Sequence, residues 1–130
     1  MQKSSTALRV LIVDDEPLIR WALSETLAHA GHVVIEASDA NTAIRAVTDA
    51  SEPIDVVLLD CRLPDSNDLT LLSTLRRLSP RSQVVLMTAY GTPEVTKGAL
   101  ELGACRVVHK PIEMRDVAAL VVLAHSSRPQ

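Results

Sequence analysis

Two short apolar runs in this chain each end abruptly in acid, and that feature limits the fold more than any other. Val56-Val57-Leu58-Leu59 runs into Asp60, and Val10-Leu11-Ile12-Val13 runs into Asp14-Asp15. Unbroken Val/Leu/Ile runs of this length suit strands buried on both faces, as in a parallel sheet covered by helices. Carboxylates at such strand ends lie at the C-terminal edge of the sheet, where open α/β sheets bind ligands. Asp also favours loops for structural reasons, so Asp60 taken alone fits either a reactive group or a loop cap.

Helical patterns fill the intervals. Pro17 opens an amphipathic stretch containing Leu18, Ile19, Ala22, Leu23 and Leu27, which Ala30-Gly31 stops. A short strand over 32–37 leads to Ser38-Asp39, placed to cap a helix with Ala40, Ala43, Ile44 and Val47 at helical spacing. Ser51-Glu52-Pro53 turns into a third strand over 54–59. Leu69, Leu72, Leu75 and Leu78 mark a third helix, ended by Ser79-Pro80. A fourth strand covers 83–87, and a weaker helix over 93–102 is interrupted by Gly98 and closed by Gly103. A strand over 105–109 and a helix over 116–124, with Val117, Leu120, Val121 and Ala124 on one stripe, complete the series.

Strand and helix thus alternate five times, which predicts an α/β doubly wound five-stranded parallel sheet with five helices. The flavodoxin-like order 2-1-3-4-5 is the arrangement expected. Residues 1–7 read as a flexible leader, 8–125 as one domain, and 126–130 as the start of a linker to a missing output domain.

Composition narrows the function. A chain of 130 residues that is 47% hydrophobic can bury one sizeable core, built from Leu, Val, Ala and Ile because Phe is absent. A net charge of −3 provides no electrostatic footprint for nucleic acid and no polybasic membrane patch. The polar start is no signal peptide, and no apolar run approaches the ~20 residues that span a bilayer. Cys61 and Cys105 form no disulfide framework, which fits a cytoplasmic setting. His29, His32, His109 and His125 lack metal-ligand spacing, so zinc is not expected.

In a parallel sheet the ends carrying Asp14-Asp15, Asp60, Thr88 and Lys110 share one edge. Three carboxylates crowded together repel one another unless a cation sits among them, and an all-oxygen set suits a hard ion such as Mg2+. A lysine and a hydroxyl supply what a tetrahedral oxyanion requires: a point charge and a hydrogen-bond donor. Together these groups describe a phosphoryl site with a carboxylate nucleophile.

Four segments carry a family resemblance: Val13-Asp14-Asp15-Glu16-Pro17, Leu59-Asp60-Cys61-Arg62-Leu63-Pro64, Met87-Thr88-Ala89-Tyr90-Gly91 and Lys110-Pro111. Over residues 8–124 the chain resembles the receiver domain of a bacterial two-component response regulator. Within that family it is similar to receivers of sigma-54-dependent, NtrC-type transcriptional activators. The resemblance implies that Asp60 accepts a phosphoryl group from a sensor histidine kinase. It further implies Mg2+ held by Asp14 (through water), Asp15, Asp60 and the Arg62 carbonyl. Thr88 would bind a phosphoryl oxygen and Lys110 would neutralise the added charge, with Lys110-Pro111 in the cis form. Such a domain is no enzyme beyond its own phosphorylation and dephosphorylation. It would dimerise through its fourth helix, fifth strand and fifth helix, and reach DNA only through the missing output domain.

Departures from the family pattern are informative. Receivers usually carry an aromatic residue three before the lysine, whose ring moves with the threonine; here that position is Val107, stiff and small. Tyr90 either folds over the site in its place or is simply an exposed loop aromatic. Asp65 and Asp68 stand where glycines are usual; Asn67 or Asp68 is expected to cap the third helix, and both acids could add negative potential at the metal. Arg62 and Tyr90 occupy positions that tune attack of water on phosphoaspartate, and their bulk predicts a long-lived phosphorylated state. Cys61 and His109 read as structural, Trp21 as a helix-edge residue and Arg76-Arg77 as a solvated face.

Two other classes compete. Haloacid-dehalogenase-type phosphatases also use a strand-end Asp with Mg2+, but need a second acid where Arg62 stands. A receiver-like interaction module never regulated by phosphorylation would tolerate Val107, Asp65 and Asp68, yet would not need the complete set of acids with Thr88 and Lys110. A Rossmann dinucleotide site is excluded, because Asp14-Asp15-Glu16-Pro17 replaces the glycine-rich turn.

Overall fold

The computed structural model describes residues 7–66 and 69–127. Strands β1 (Arg9–Val13), β2 (Val33–Ala37), β3 (Val56–Asp60), β4 (Gln83–Thr88) and β5 (Arg106–His109) alternate with five helices. These are α1 (Pro17–His29), α2 (Ala40–Thr48), α3 (Thr70–Leu78), α4 (Pro93–Glu101) and α5 (Met114–Ser126). All strand pairings are parallel, in the order β2-β1-β3-β4-β5. The expected doubly wound sheet is therefore the observed one.

The apolar runs form the middle of the sheet because they alone can be buried on both faces. Every residue of β3 and β4 is buried, whereas the edge strands β2 and β5 are largely half-exposed. Side chains alternate between two cores, as the period of a strand demands. Leu11, Val13, Val57, Leu59, Val84 and Leu86 face the side covered by α2, α3 and α4. Val10, Ile12, Val56, Leu58, Val85 and Met87 face α1 and α5, meeting Leu23, Leu27, Val117 and Val121. Cys61 packs against the first core, in line with its reading as a small interior residue.

Local chemistry sets the helix ends. Proline occupies the first turn of both α1 and α4, where its missing N–H costs nothing. Asp39 accepts the Thr42 N–H while Thr42 reaches back to the Asp39 amide, a reciprocal cap on α2. Gly31 and Gly103 adopt φ of 95° and 105° just beyond α1 and α4, the left-handed stop that favours glycine.

Several boundaries and faces differ from the sequence reading. Helix α5 starts at Met114 and runs through Ser126, so Ser126 is helical rather than linker. Leu18 is 78% exposed and lies outside the α1 stripe. The buried positions of α1 are Leu23, Ser24 and Leu27, with Ile19 packed against them, and one residue along a helix turns the side chain by about 100°. Trp21 stands three residues from Leu18 and is 59% exposed. Leu78, at the end of α3, is also exposed. Arg76 is no solvated side chain: its Nη1 donates to the Pro80 and Ser82 carbonyls and ties down the turn after α3. The expected leader over 1–6, the cap by Asn67 or Asp68 and the linker over 128–130 lie outside the described residues. Among the described residues no helix is long and apolar enough to cross a membrane.

His32 joins the start of β1 to the turn after α1. Its Nδ1 accepts the Leu8 N–H at 3.0 Å, and burial holds its pKa below the ordinary value. The unfolded chain then binds the proton more tightly, so this contribution is complete above about pH 6.5 and is lost as pH falls toward the depressed folded value. Urea denaturation is expected to show stability decreasing over that window, and a His32→Asn variant to show a shallower decrease. Equal slopes in the two proteins would refute the assignment.

Candidate functional site

The C-terminal ends of β1, β3 and β4 and the residue after β5 meet at one rim. Asp14 is fully buried and extends β1 by donating its N–H to the Ala37 carbonyl at 3.1 Å. Its Oδ1 accepts the Glu16 N–H at 2.9 Å, which turns the chain toward α1. Asp15 follows on the exposed side of that turn. Asp60, the last residue of β3, is 7% exposed, and its Oδ1 accepts the Arg62 N–H at 3.2 Å. Thr88, the last residue of β4, is buried, and its Oγ1 accepts the Tyr90 N–H at 3.1 Å.

Lys110 closes the set. Its backbone N–H donates to the Thr88 carbonyl at 2.8 Å, and its bond to Pro111 is cis, as the resemblance implied. Its Nζ lies 3.1 Å from Asp14 Oδ2 and 3.2 Å from Asp60 Oδ2, bridging residues 96 and 50 positions away in the chain. Glu16 Oε1 stands 3.7 Å from the same ammonium.

The electrostatics follow from that crowding. Burial is the largest influence on Asp60 and pushes its carboxyl above the usual carboxylate range, aided by the Asp14 charge and opposed by the Arg62 N–H and Lys110. Burial pulls the Lys110 ammonium down, but hydrogen bonds and attraction from Asp14 and Asp60 outweigh it and hold the group above its ordinary value. Asp14, Asp15 and Asp60 each offer an oxygen within 4.8 Å of the others. Three hard oxygen donors, two of them on buried residues, fit a divalent cation of the Mg2+ or Ca2+ type.

Beside these groups opens a cavity of about 340 Å3 lined by Asp15, Asp60, Arg62, Thr88, Tyr90 and Lys110, among others. Among its lining residues, the Arg62 guanidinium stacks on the Tyr90 ring, 5.2 Å from the centroid. Tyr90 remains 70% exposed. It is thus a surface aromatic that lines one side of the cleft.

All six sequence-predicted site residues therefore converge: Asp14, Asp15, Asp60 and Lys110 directly, Thr88 and Arg62 on the cavity wall. Asp65 does not join them. Its Oδ1 accepts the Ala40 N–H at 2.8 Å and its Oδ2 the Asn41 N–H at 3.1 Å, so its charge is spent on the start of α2 rather than on the cation site. Asp68 lies outside the described residues. Two contributors escaped the sequence reading. Glu16 reaches the ammonium, and its place directly after two acids was a usable signal. Arg20 donates from Nη1 to the Asp14 carbonyl at 2.7 Å while its Nε meets Glu36 Oε1 at 3.0 Å, a pairing across two elements that no local pattern announces.

Val107 is half-buried against the first core. The neighbouring His109 instead lays its imidazole against Gly91 so closely that any Cβ at position 91 would fall within the ring's envelope.

Comparison with known proteins gives this geometry its context. The family model for the response regulator receiver domain matches residues 10–122. The chain belongs to that family. It is 36% identical to the regulatory protein AtoC of Escherichia coli over 87% of this chain and 24% of that protein. It is 34% identical to the DNA-binding transcriptional regulator NtrC of Salmonella typhimurium, over 90% of this chain and 24% of that protein. The likeness to NtrC-type receivers read from the motifs thus holds in the relatives. The chain spans about a quarter of the length of the curated relatives it matches. A CheY-like receiver domain protein from Methanospirillum hungatei superposes with a TM-score of 0.85 at 26% identity, covering 93% of this chain and 95% of that one.

The raised pKa of Asp60 has a measurable consequence. A carboxyl with a raised folded pKa lends stability below its ordinary value of about 4, and that stability is lost as pH rises through the raised value. At pH 7 without divalent cations, Asp60→Asn is therefore expected to raise the thermal midpoint. A lower midpoint would show that the pairing with Lys110 outweighs the burial.

Proposed function

We propose that this receiver is the phosphoacceptor module of a two-component response regulator, with Asp60 as the residue phosphorylated by a sensor histidine kinase. The observation that carries this reading is the meeting of three strand-end carboxylates with one ammonium at the edge of a parallel sheet. Asp14, Asp15, Asp60 and the Arg62 carbonyl would hold Mg2+, with Asp14 acting through water. When bound, Mg2+ supplies positive charge that lets an anionic carboxylate approach an anionic phosphoryl group.

The chain's own residues do the rest. A carboxylate oxygen of Asp60 attacks phosphorus as the bond from phosphorus to the donor's imidazole nitrogen breaks, leaving an acyl phosphate on Asp60. Lys110, already 3.2 Å from Asp60, offers its ammonium to the charge that arrives. Thr88 contributes a hydroxyl whose oxygen now accepts the Tyr90 N–H, so engaging its proton with a phosphoryl oxygen links the site to the loop before α4. The phosphoryl group adds close to two negative charges, and whichever loop arrangement binds it better gains population. We assign the signal to the face of α4, β5 and α5, through which two copies would associate, and the output to transcription by an attached DNA-binding domain. Arg62 stands where a phosphatase of the haloacid-dehalogenase type needs an acid, which leaves self-phosphorylation and self-dephosphorylation as the chemistry.

Incubation with acetyl phosphate and Mg2+ is expected to add the mass of one phosphoryl group to the wild type and none to Asp60→Asn, with chelation abolishing the gain. A phosphorylated Asp60→Asn protein would remove Asp60 from its role. Arg62 and Tyr90 line the cleft and stack on each other, bulk that would hinder an incoming water, so the phosphorylated state should outlast donor removal by minutes or more. Truncating either residue to Ala should shorten it several-fold, whereas loss within seconds in the wild type would contradict that hindrance.

A further inference from the structure

The loop after Asp60 is tied down at more points than a flexible connection requires. Asp60 Oδ1 holds the Arg62 N–H, and Leu63 and Ser66 exchange backbone hydrogen bonds of 2.8 and 3.2 Å around Pro64 and Asp65. Leu63 is buried in the first core. From the tip of this tight turn the Asp65 carboxylate crosses to the Ala40 and Asn41 amides, one oxygen to each. The cap on α2 does not depend on this visit, because Asp39 already serves the Thr42 amide from within the same segment.

The segment that Asp65 grips has a second attachment. Three residues before Ala40, the Ala37 carbonyl accepts the Asp14 N–H. The corner between β2 and α2 therefore holds the acid-bearing loop after β1 at one end and the loop after β3 at the other. Two charge-assisted bonds to the open end of a helix are strong enough to fix such a turn.

We propose, resting on the receiver reading above, that Asp65 is a positioning residue for the cation site. Through the Ala40 and Asn41 amides it sets the spacing between the chain that carries Asp60 and Arg62 and the chain that carries Asp14 and Asp15. The rigidity that glycine-free sequence imposes on this loop is thereby used to pre-arrange ligands drawn from two separate strand ends.

Titration calorimetry with Mg2+ alone, on the metal-stripped protein without phosphodonor, tests this. Asp65→Ala is expected to weaken Mg2+ binding about tenfold, the usual scale for losing a group that orients metal ligands. Asp65→Asn, which retains one acceptor oxygen, is expected to bind more weakly than wild type and serves alone if the Ala variant does not fold. Thr42→Ala removes the hydroxyl half of the reciprocal cap at the same helix end without touching the loop, and is expected to lower the thermal midpoint while leaving Mg2+ affinity unchanged. Affinity of Asp65→Ala within twofold of wild type would overturn the proposal, as would an equal loss in Thr42→Ala. A wild type that binds no Mg2+ would instead overturn the receiver chemistry beneath it.

Discussion

A single ammonium placed between two carboxylates is the contact on which the site depends. Asp14 has no exposed surface and Asp60 very little, and isolated buried carboxylates are costly. Lys110 relieves both at once, from a position just past the last strand. The burial that makes Asp60 reluctant to ionise also strengthens the attraction that holds Lys110 charged, because both act in the same poorly hydrated cleft. The parallel sheet brings the three together: its strands all run the same way, so residues from remote parts of the sequence finish at a common edge.

Around that core of charge the chain fixes its loops with whatever polar groups lie nearest. Arg20 braces the Asp14 carbonyl from α1, the Ala37 carbonyl receives the Asp14 amide, and Arg62 folds back to lie on Tyr90. These contacts cross between elements, so the geometry of the rim is set by the packing of the whole domain. The two hydrophobic cores, one on each face, hold the strands still enough for distances near 3 Å to be kept between residues far apart in the chain.

What the sequence revealed and what it concealed divide along physical lines. Alternation and punctuation placed every strand and helix, because buried runs, prolines at helix starts and glycines after helices act locally. The convergence of Asp14, Asp15, Asp60, Thr88 and Lys110 was readable because parallel topology alone brings strand ends together. Leu18 was misplaced because periodicity finds a stripe's centre more readily than its edge. The target of Asp65 and the brace from Arg20 were illegible for a different reason. Both are side-chain contacts between distant segments, and no spacing rule connects position 65 to position 40 or position 20 to the carbonyl of position 14.

The contact between His109 and Gly91 bears on how bulk is arranged at the edge of the site. With valine at 107, no large ring from the preceding position of β5 sweeps the face beneath Thr88, yet an imidazole two residues later already occupies the space over the loop. A bare hydrogen at position 91 is what admits it. Bulk absent at position 107 thus stands two residues further along the same strand, and the loop residue facing it carries no side chain. A side chain added at position 91 would have to displace the exposed imidazole of His109, so the two positions share one volume at the rim.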